Sequence, residues 1–222
     1  MKKIVKFIFS IVSICLVGTM VSCLDGEEPR VYYTDFVTTH TNPDKTLYFE
    51  QVLRNDLGSN MLYPNPSIAA DATEGMRVIL QYYVNTVHPD NSKEVEVKGI
   101  YSVRHDTIID AHPDTIAAYP NDPVKINSIF RTGNYLNLDM SIEYFNKTHS
   151  LDLFSNPMQA SSDTIDVILR HDRNDDVFGY WVSAYASFYI PNLAQYKAMR
   201  VYANTPDLPD NIEGYFVIGL KD

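Results

Sequence analysis

The chain has 222 residues, of which 45% are hydrophobic, 21% charged and 12% aromatic, with 16 tyrosines. That aromatic content excludes a wholly disordered chain. Acids outnumber bases 28 to 18, a formal charge of -10, which excludes a phosphate-binding surface of clustered lysine and arginine and hence nucleic acid as a partner.

Two cysteines occur, Cys15 and Cys23, both near the start, so no disulfide framework can be built. Residues 1–22 (MKKIVKFIFSIVSICLVGTMVS) have the layout of a secretory signal peptide. Lys2, Lys3 and Lys6 give a positive start, an apolar stretch follows to Val17, and small or moderate residues lead to Cys23. The stretch is too short and wrongly flanked for a stop-transfer helix. Met20-Val21-Ser22-Cys23 resembles a bacterial lipobox, in which the cysteine becomes the acylated N-terminus. The alternative is plain cleavage with Cys23 a free thiol, a liability in an oxidising compartment.

Removal of residues 1–22 leaves 200 residues, takes three lysines and no acid, and moves the formal charge from -10 to -13. Cys15 leaves with the signal and Cys23 carries lipid, so no thiol remains for catalysis or metal binding. Several acyl chains make a stable membrane anchor. An acidic body on that tether is repelled by anionic headgroups. Residues 23–31 form the acidic tether. Its Leu24-Asp25-Gly26-Glu27-Glu28-Pro29 resembles the export tag of surface lipoproteins of the Bacteroidetes. The expected location is the outer membrane, exposed at the cell surface, with the periplasmic leaflet as the alternative if the stretch is only a solvated linker.

Beyond the tether, period-two alternation predicts strands throughout. Residues 46–53 (TLYFEQVL) put Leu47, Phe49 and Leu53 on one side; Gly58-Ser59-Asn60 offers a turn and Met61-Leu62-Tyr63 the return. Residues 77–84 align Val78, Leu80, Tyr82 and Val84, and residues 95–103 repeat the pattern. Such short strands with turn signals fit a small barrel or sandwich.

A second half begins near Val124. Residues 135–145 (YLNLDMSIEYF) predict a half-buried strand, with Leu136, Leu138, Met140, Ile142 and Tyr144 on the core and Asn137, Asp139, Ser141 and Glu143 in water. Similar segments at 148–154, 164–170, 180–190 and 215–220 predict a β-sandwich. Residues 192–199, after Pro191, read as a short helical turn. Between the halves, residues 110–123 hold three prolines and scattered acids, and the expected boundary lies there.

The order of segments resembles the NigD-like lipoproteins of Bacteroides and Prevotella relatives. The matching stretches are Gly75-Met-Arg-Val-Ile, Ile129-Phe-Arg-Thr-Gly-Asn-Tyr-Leu-Asn-Leu138, and Leu169-Arg-His-Asp172 followed by Gly179-Tyr-Trp-Val-Ser183. The resemblance implies an all-β chain, with an N-terminal OB-like β-barrel at 32–112 followed by a C-terminal antiparallel β-sandwich at 118–222. It also implies an immunity or accessory role, and it brings no catalytic residues.

The chemistry carried by the residues is sparse. GxSxG, HExxH, GxxxxGK[ST] and GxGxxG are all absent. No catalytic residue, cofactor or metal is expected, although a glycosidase needs only two carboxylates and has no such signature. His105, Asp106, Asp110, His112 and Asp114 form the densest His/Asp cluster, read as a hydrated loop. Asp172-Arg-Asn174-Asp-Asp176 echoes the start of a calcium loop, but Val177 stands where its glycine is needed and Ser183 where its glutamate is needed. A polar hairpin turn is the better reading.

Residues 180–190 put Tyr180, Val182, Ala184, Ala186, Phe188 and Ile190 on one face. The other face carries Trp181, Ser183, Tyr185, Ser187 and Tyr189. Trp181, Tyr185 and Tyr189 are candidate ligand-binding residues, as a platform for a sugar ring or partner protein, unless the first domain covers them. The tripeptide Asp-Thr-Ile recurs at 106, 114 and 163 and resembles a Bacteroides O-glycosylation acceptor. Thr107, Thr115 and Thr164 are therefore candidate modification sites. The sequence thus describes a non-enzymatic protein anchored to a membrane through Cys23, whose partner is an envelope protein or a glycan.

Overall fold

The structure, a computed structural model, describes residues 30–54, 58–70, 74–155, 163–206 and 215–220. The signal peptide, Cys23 and nearly all of the tether lie outside the described residues. Every strand falls in one compact unit, Tyr32–Asp222. Among the described residues no helix is long and apolar enough to cross a membrane.

Five strands close a barrel: β1 (Tyr32–Thr41), β2 (Leu47–Val52), β3 (Ser59–Pro64), β4 (Arg77–Val87) and β5 (Lys93–Ser102), in the order β1-β2-β3-β5-β4. β4 pairs back onto β1, so the barrel has the five-stranded order of an OB-like fold. Alternation decides which side chains fill it. Val37, Leu47, Phe49, Leu62, Val78, Leu80, Tyr82 and Val95 point inward and are buried together. The opposite face of β1 and β4 would meet water in an isolated barrel, yet Phe36, Arg77 and Ile79 on that face are also buried.

What buries them is the second half. β6 (Arg104–Thr107), β12 (Tyr180–Tyr189), β9 (Tyr135–Tyr144) and β8 (Lys125–Thr132) form one sheet in that order. The facing sheet runs β14 (Tyr215–Gly219), β13 (Ala198–Tyr202), β11 (Thr164–Asp172), β10 (Ser150–Ser155) and β7 (Ile109–Asp110). Leu136, Leu138, Met140, Leu153, Val167, Leu169, Phe188, Met199 and Val201 fill the space between them. The chain is all-β, a barrel followed by a sandwich, as expected. Most neighbouring strands are antiparallel; β3–β5 in the barrel and β6–β12, β7–β10 and β11–β13 in the sandwich are parallel.

Several local expectations differ from the structure. β6 and β7 already pair within the sandwich, so the sheets change over at Val103 and not within 110–123. That Pro-rich stretch is a crossover holding a short helix, α1 (Pro113–Ala118), which Pro113 starts and buried Ile116 pins. The expected helical turn at 192–199 shrinks to the 3-10 turn Leu193–Gln195, because β13 begins at Ala198 and pairs with both β11 and β14. Residues 173–179 join β11 to β12, which lie in different sheets, so they form a crossover and not a hairpin turn. Asn137, expected in water, is fully buried because the barrel sits on that part of β9.

Candidate functional site

The outer face of the four-stranded sheet sets the site. Antiparallel register places Trp181 beside Glu143, Ser183 beside Ser141, Tyr185 beside Asp139, Ser187 beside Asn137 and Tyr189 beside Tyr135. β8 adds Ser128 beside Asp139, Phe130 beside Asn137 and Thr132 beside Tyr135. Paired residues share a face, so these side chains form a ladder of cross-strand rows. The two rows nearest the β8–β9 turn lie under the barrel.

Arg77 of β4 locks that contact. Its guanidinium is fully buried and donates to Ser187 Oγ at 3.2 Å, Thr38 Oγ1 at 3.1 Å, Asn137 Oδ1 at 2.9 Å and Thr132 Oγ1 at 3.4 Å. The Tyr135 ring lies 4.6 Å from its Cζ. Burial pulls the guanidinium down to about 10, against the opposing influence of Tyr135 and Glu50. Neutral oxygens and a ring thus hold this charge, which suits a planar fork of donors better than a lysine. Ser187 and Asn137 also bond each other at 2.9 Å, closing the network.

One row further out the modules part and leave a cleft of about 380 Å3. The barrel contributes Asp35, Phe36, Gln51, Arg54 and Ile79, and the sandwich Ser128, Phe130, Asp139 and Tyr185. Phe36 meets the Phe130 ring at 5.6 Å and the Tyr185 ring at 6.0 Å, both edge-on, making an aromatic floor. Arg54 lies over Phe130 with its Cζ 4.3 Å from the ring centroid. Asp35 Oδ2 accepts from Gln51 Nε2 and from the Tyr82 hydroxyl, each at 2.8 Å. Burial, with Asp35 adding to it, pushes the Tyr82 phenol well above its ordinary range, so it stays a donor. Asp139 Oδ1 accepts from Asn127 Nδ2 at 3.0 Å. Acids, one cation and aromatic rings from both modules therefore converge on one opening.

The expected aromatic platform is divided among three environments. Trp181 is 40% exposed, with Lys125 Nζ 4.2 Å from its ring centroid. Tyr185 is half-buried in the cleft floor. Tyr189 is half-buried against Tyr135 at 5.5 Å, beside the Arg77 network. Sequence reasoning passed over Phe36, Arg54, Arg77 and Phe130. Arg77 and Phe130 stood in the sequence only as members of the stretches 75–79 and 129–138 that resemble the NigD-like lipoproteins.

Thr107 is exposed at the end of β6, Thr115 is exposed on α1, and Thr164 is half-buried at the start of β11. His105, Asp106, Asp110, His112 and Asp114 spread over β6, β7 and α1. Among the described residues no three His, Cys, Asp or Glu side chains converge on a metal position. Asp176 of the calcium-like run is buried and accepts from the backbone N–H groups of Phe145 at 2.8 Å and Asn146 at 3.2 Å, so it serves as a loop anchor.

Residues 107–205 match the NigD-like C-terminal beta sandwich domain. Three solved structures share the fold of the whole assembly. A protein of unknown function from Bacteroides vulgatus aligns at 20% identity and TM-score 0.69, over 85% of this chain and 90% of its own. A NigD-like immunity protein from Bacteroides caccae aligns at 20% identity and TM-score 0.58, over 86% of this chain and 93% of its own. A Bacteroides fragilis protein described as a candidate lipoprotein aligns at 13% identity and TM-score 0.61, over 86% of this chain and 99% of its own. No curated protein sequence matches the chain. Residues 107–205 are thus similar to the NigD-like C-terminal β-sandwich domain, in keeping with the NigD-like resemblance of the sequence.

Proposed function

We propose that this chain is a lipid-anchored, non-enzymatic binding protein of the cell envelope, whose ligand sits in the cleft between barrel and sandwich. The observation that carries the reading is the buried Arg77 network. It fixes the two modules against each other and leaves, one row away, an opening lined by unlike charges from both. A preorganised two-sided cleft is the kind of surface that binds without paying for domain closure.

Acylation of Cys23 and display at the outer membrane complete the reading, supported by the lipobox pattern and by the candidate lipoprotein among the structural neighbours. Among the three Asp-Thr-Ile sites, Thr115 is the best acceptor, being exposed on a short helix and outside any sheet. An immunity-type role, the one in the name of the B. caccae protein, is the form this binding takes if the occupant is a toxin.

The test is a photo-cross-linking side chain at Ser128 in the full chain in native envelopes. Val217, 65% exposed on β14 of the other sheet, serves as the control position. A discrete adduct from position 128 and none from 217 is expected. No adduct, or the same adducts from both positions, contradicts the reading.

A further inference from the structure

We propose that the cleft and the open rows beyond it form one groove for a short, linear, neutral oligosaccharide. This deepens the cleft-binding reading and rests on it.

Continuity comes first. Asn127, the residue displaced by the β8 bulge, donates to Asp139 Oδ1 in the cleft at 3.0 Å and to Ser141 Oγ in the next row at 3.3 Å. Ser141 sits beside Ser183, and Glu143 beside Trp181, on the same face. From Tyr185 in the cleft to Trp181 is four residues of extended strand, about 13 Å, which is room for a chain of sugars and too long for one ring.

The polar groups along this path point to the ligand's chemistry. Arg54 makes no ion pair or hydrogen bond among the described residues, and stacking on Phe130 holds its fork of donors in place. The second oxygen of Asp139 and the Tyr185 hydroxyl are likewise unspent. Carboxylates at Asp35, Asp139 and Glu143 alternate with cations at Arg54 and Lys125 and with hydroxyls at Ser128, Ser141 and Ser183. A cationic ligand would meet Arg54 and Lys125, and an anionic one would meet the acids of a chain carrying -10 overall. A hydroxyl is both donor and acceptor, so it suits either neighbour.

The groove also disfavours a peptide strand. It lies on the face of the sheet and not along its edge, and β9 at its centre is already paired on both sides by β8 and β12, so no backbone is free for strand addition. At the open end, Trp181 is 40% exposed with Lys125 Nζ 4.2 Å from its ring centroid, and a pyranose would pack its C–H face on the ring surface that Lys125 leaves open or displace that side chain.

The experiment uses the detergent-solubilised full chain on an array of neutral and uronate-containing oligosaccharides, followed by calorimetry with the retained compounds. Retention of linear neutral oligosaccharides is expected. Trp181→Ala and Arg54→Ala should each weaken binding by about tenfold, with unchanged melting temperatures and with Val217→Ala indistinguishable from the parent chain. Absence of neutral-glycan binding at millimolar concentration, retention of uronates alone, or binding indifferent to Trp181→Ala would overturn the proposal. An adduct from position 128 that survives Trp181→Ala would overturn it too, while leaving the cleft-binding reading intact.

Discussion

His149 Nδ1 lies 2.9 Å from His171 Nε2 inside the sandwich, while His149 Nε2 lies 3.2 Å from Asp176 Oδ2. One proton arrangement serves all three. His149 donates to the carboxylate and accepts from His171 Nε2–H, which leaves His171 Nδ1 buried with no hydrogen-bond partner among the described residues. Desolvation pushes the Asp176 carboxyl up, but the Phe145 amide, the His149 ring and the amides of Lys147 and Asn146 outweigh it and hold it down at about 2. Burial, and then the charge of His149, lowers the His171 pKa; Asp122 opposes both.

The sign of the pH dependence follows. With its folded pKa below the usual 6.5, His171 takes up a proton in the unfolded chain first. Stability is therefore full above pH 6.5 and falls as the pH drops below it, with a slope for this one proton of at most about 1.4 kcal/mol per pH unit. Urea unfolding between pH 7.5 and 5 checks this, and His171→Gln should flatten the profile. An unchanged slope in that variant would assign the effect elsewhere.

Arg77→Met should cost about 2–4 kcal/mol, because it strands Asn137, Ser187, Thr132 and Thr38 in a buried junction. Arg77→Lys should recover little, since an ammonium cannot span four acceptors in one plane. Denaturant midpoints measure the loss, and separate unfolding of barrel and sandwich should accompany it. A loss below about 0.5 kcal/mol, the range of an ordinary surface change, would remove Arg77 from the lock.

Gly179→Ala tests the end of the sandwich nearest Trp181. A Cβ there would meet the Tyr144 carbonyl oxygen at 2.1 Å, a backbone contact that no side-chain rotation relieves. A drop of several degrees in melting temperature is expected, corresponding to about 1–3 kcal/mol. Wild-type stability would mean that β9 and the loop before β12 are not packed as described.

Cys23→Ala should abolish acylation and leave the chain either unprocessed, with residues 1–22 retained, or released from membranes on fractionation. Continued partition with the membrane pellet and normal maturation would remove the lipobox from the account.

Much of this architecture was legible in the residues. Alternation at Val78, Leu80 and Tyr82 and at Leu136, Leu138 and Met140 identified strands and their core faces, because each has one face in a core whatever surrounds it. The barrel–sandwich junction was illegible for the converse reason. Phe36, Arg77, Asn137 and Ser187 occupy the second face of their strands, where sequence pattern reads water and only the packing of one module on another reveals burial. β13 was hidden behind Pro191, whose helix-starting signal yields only a 3-10 turn. The aromatic row at Trp181, Tyr185 and Tyr189 was visible as a pattern, but its division into an open, a cleft-lining and a covered residue depends on where the barrel stops.

The most direct test of a binding site shared by both modules is a double-mutant cycle between Arg54 of the barrel and Asp139 of the sandwich, read as the yield of the position-128 adduct at graded partner concentration. Each single change to alanine should weaken capture, and the double variant should fall short of their sum by about 1 kcal/mol of coupling. Strictly additive effects, or capture unaffected by either change, would contradict a ligand held between the two modules.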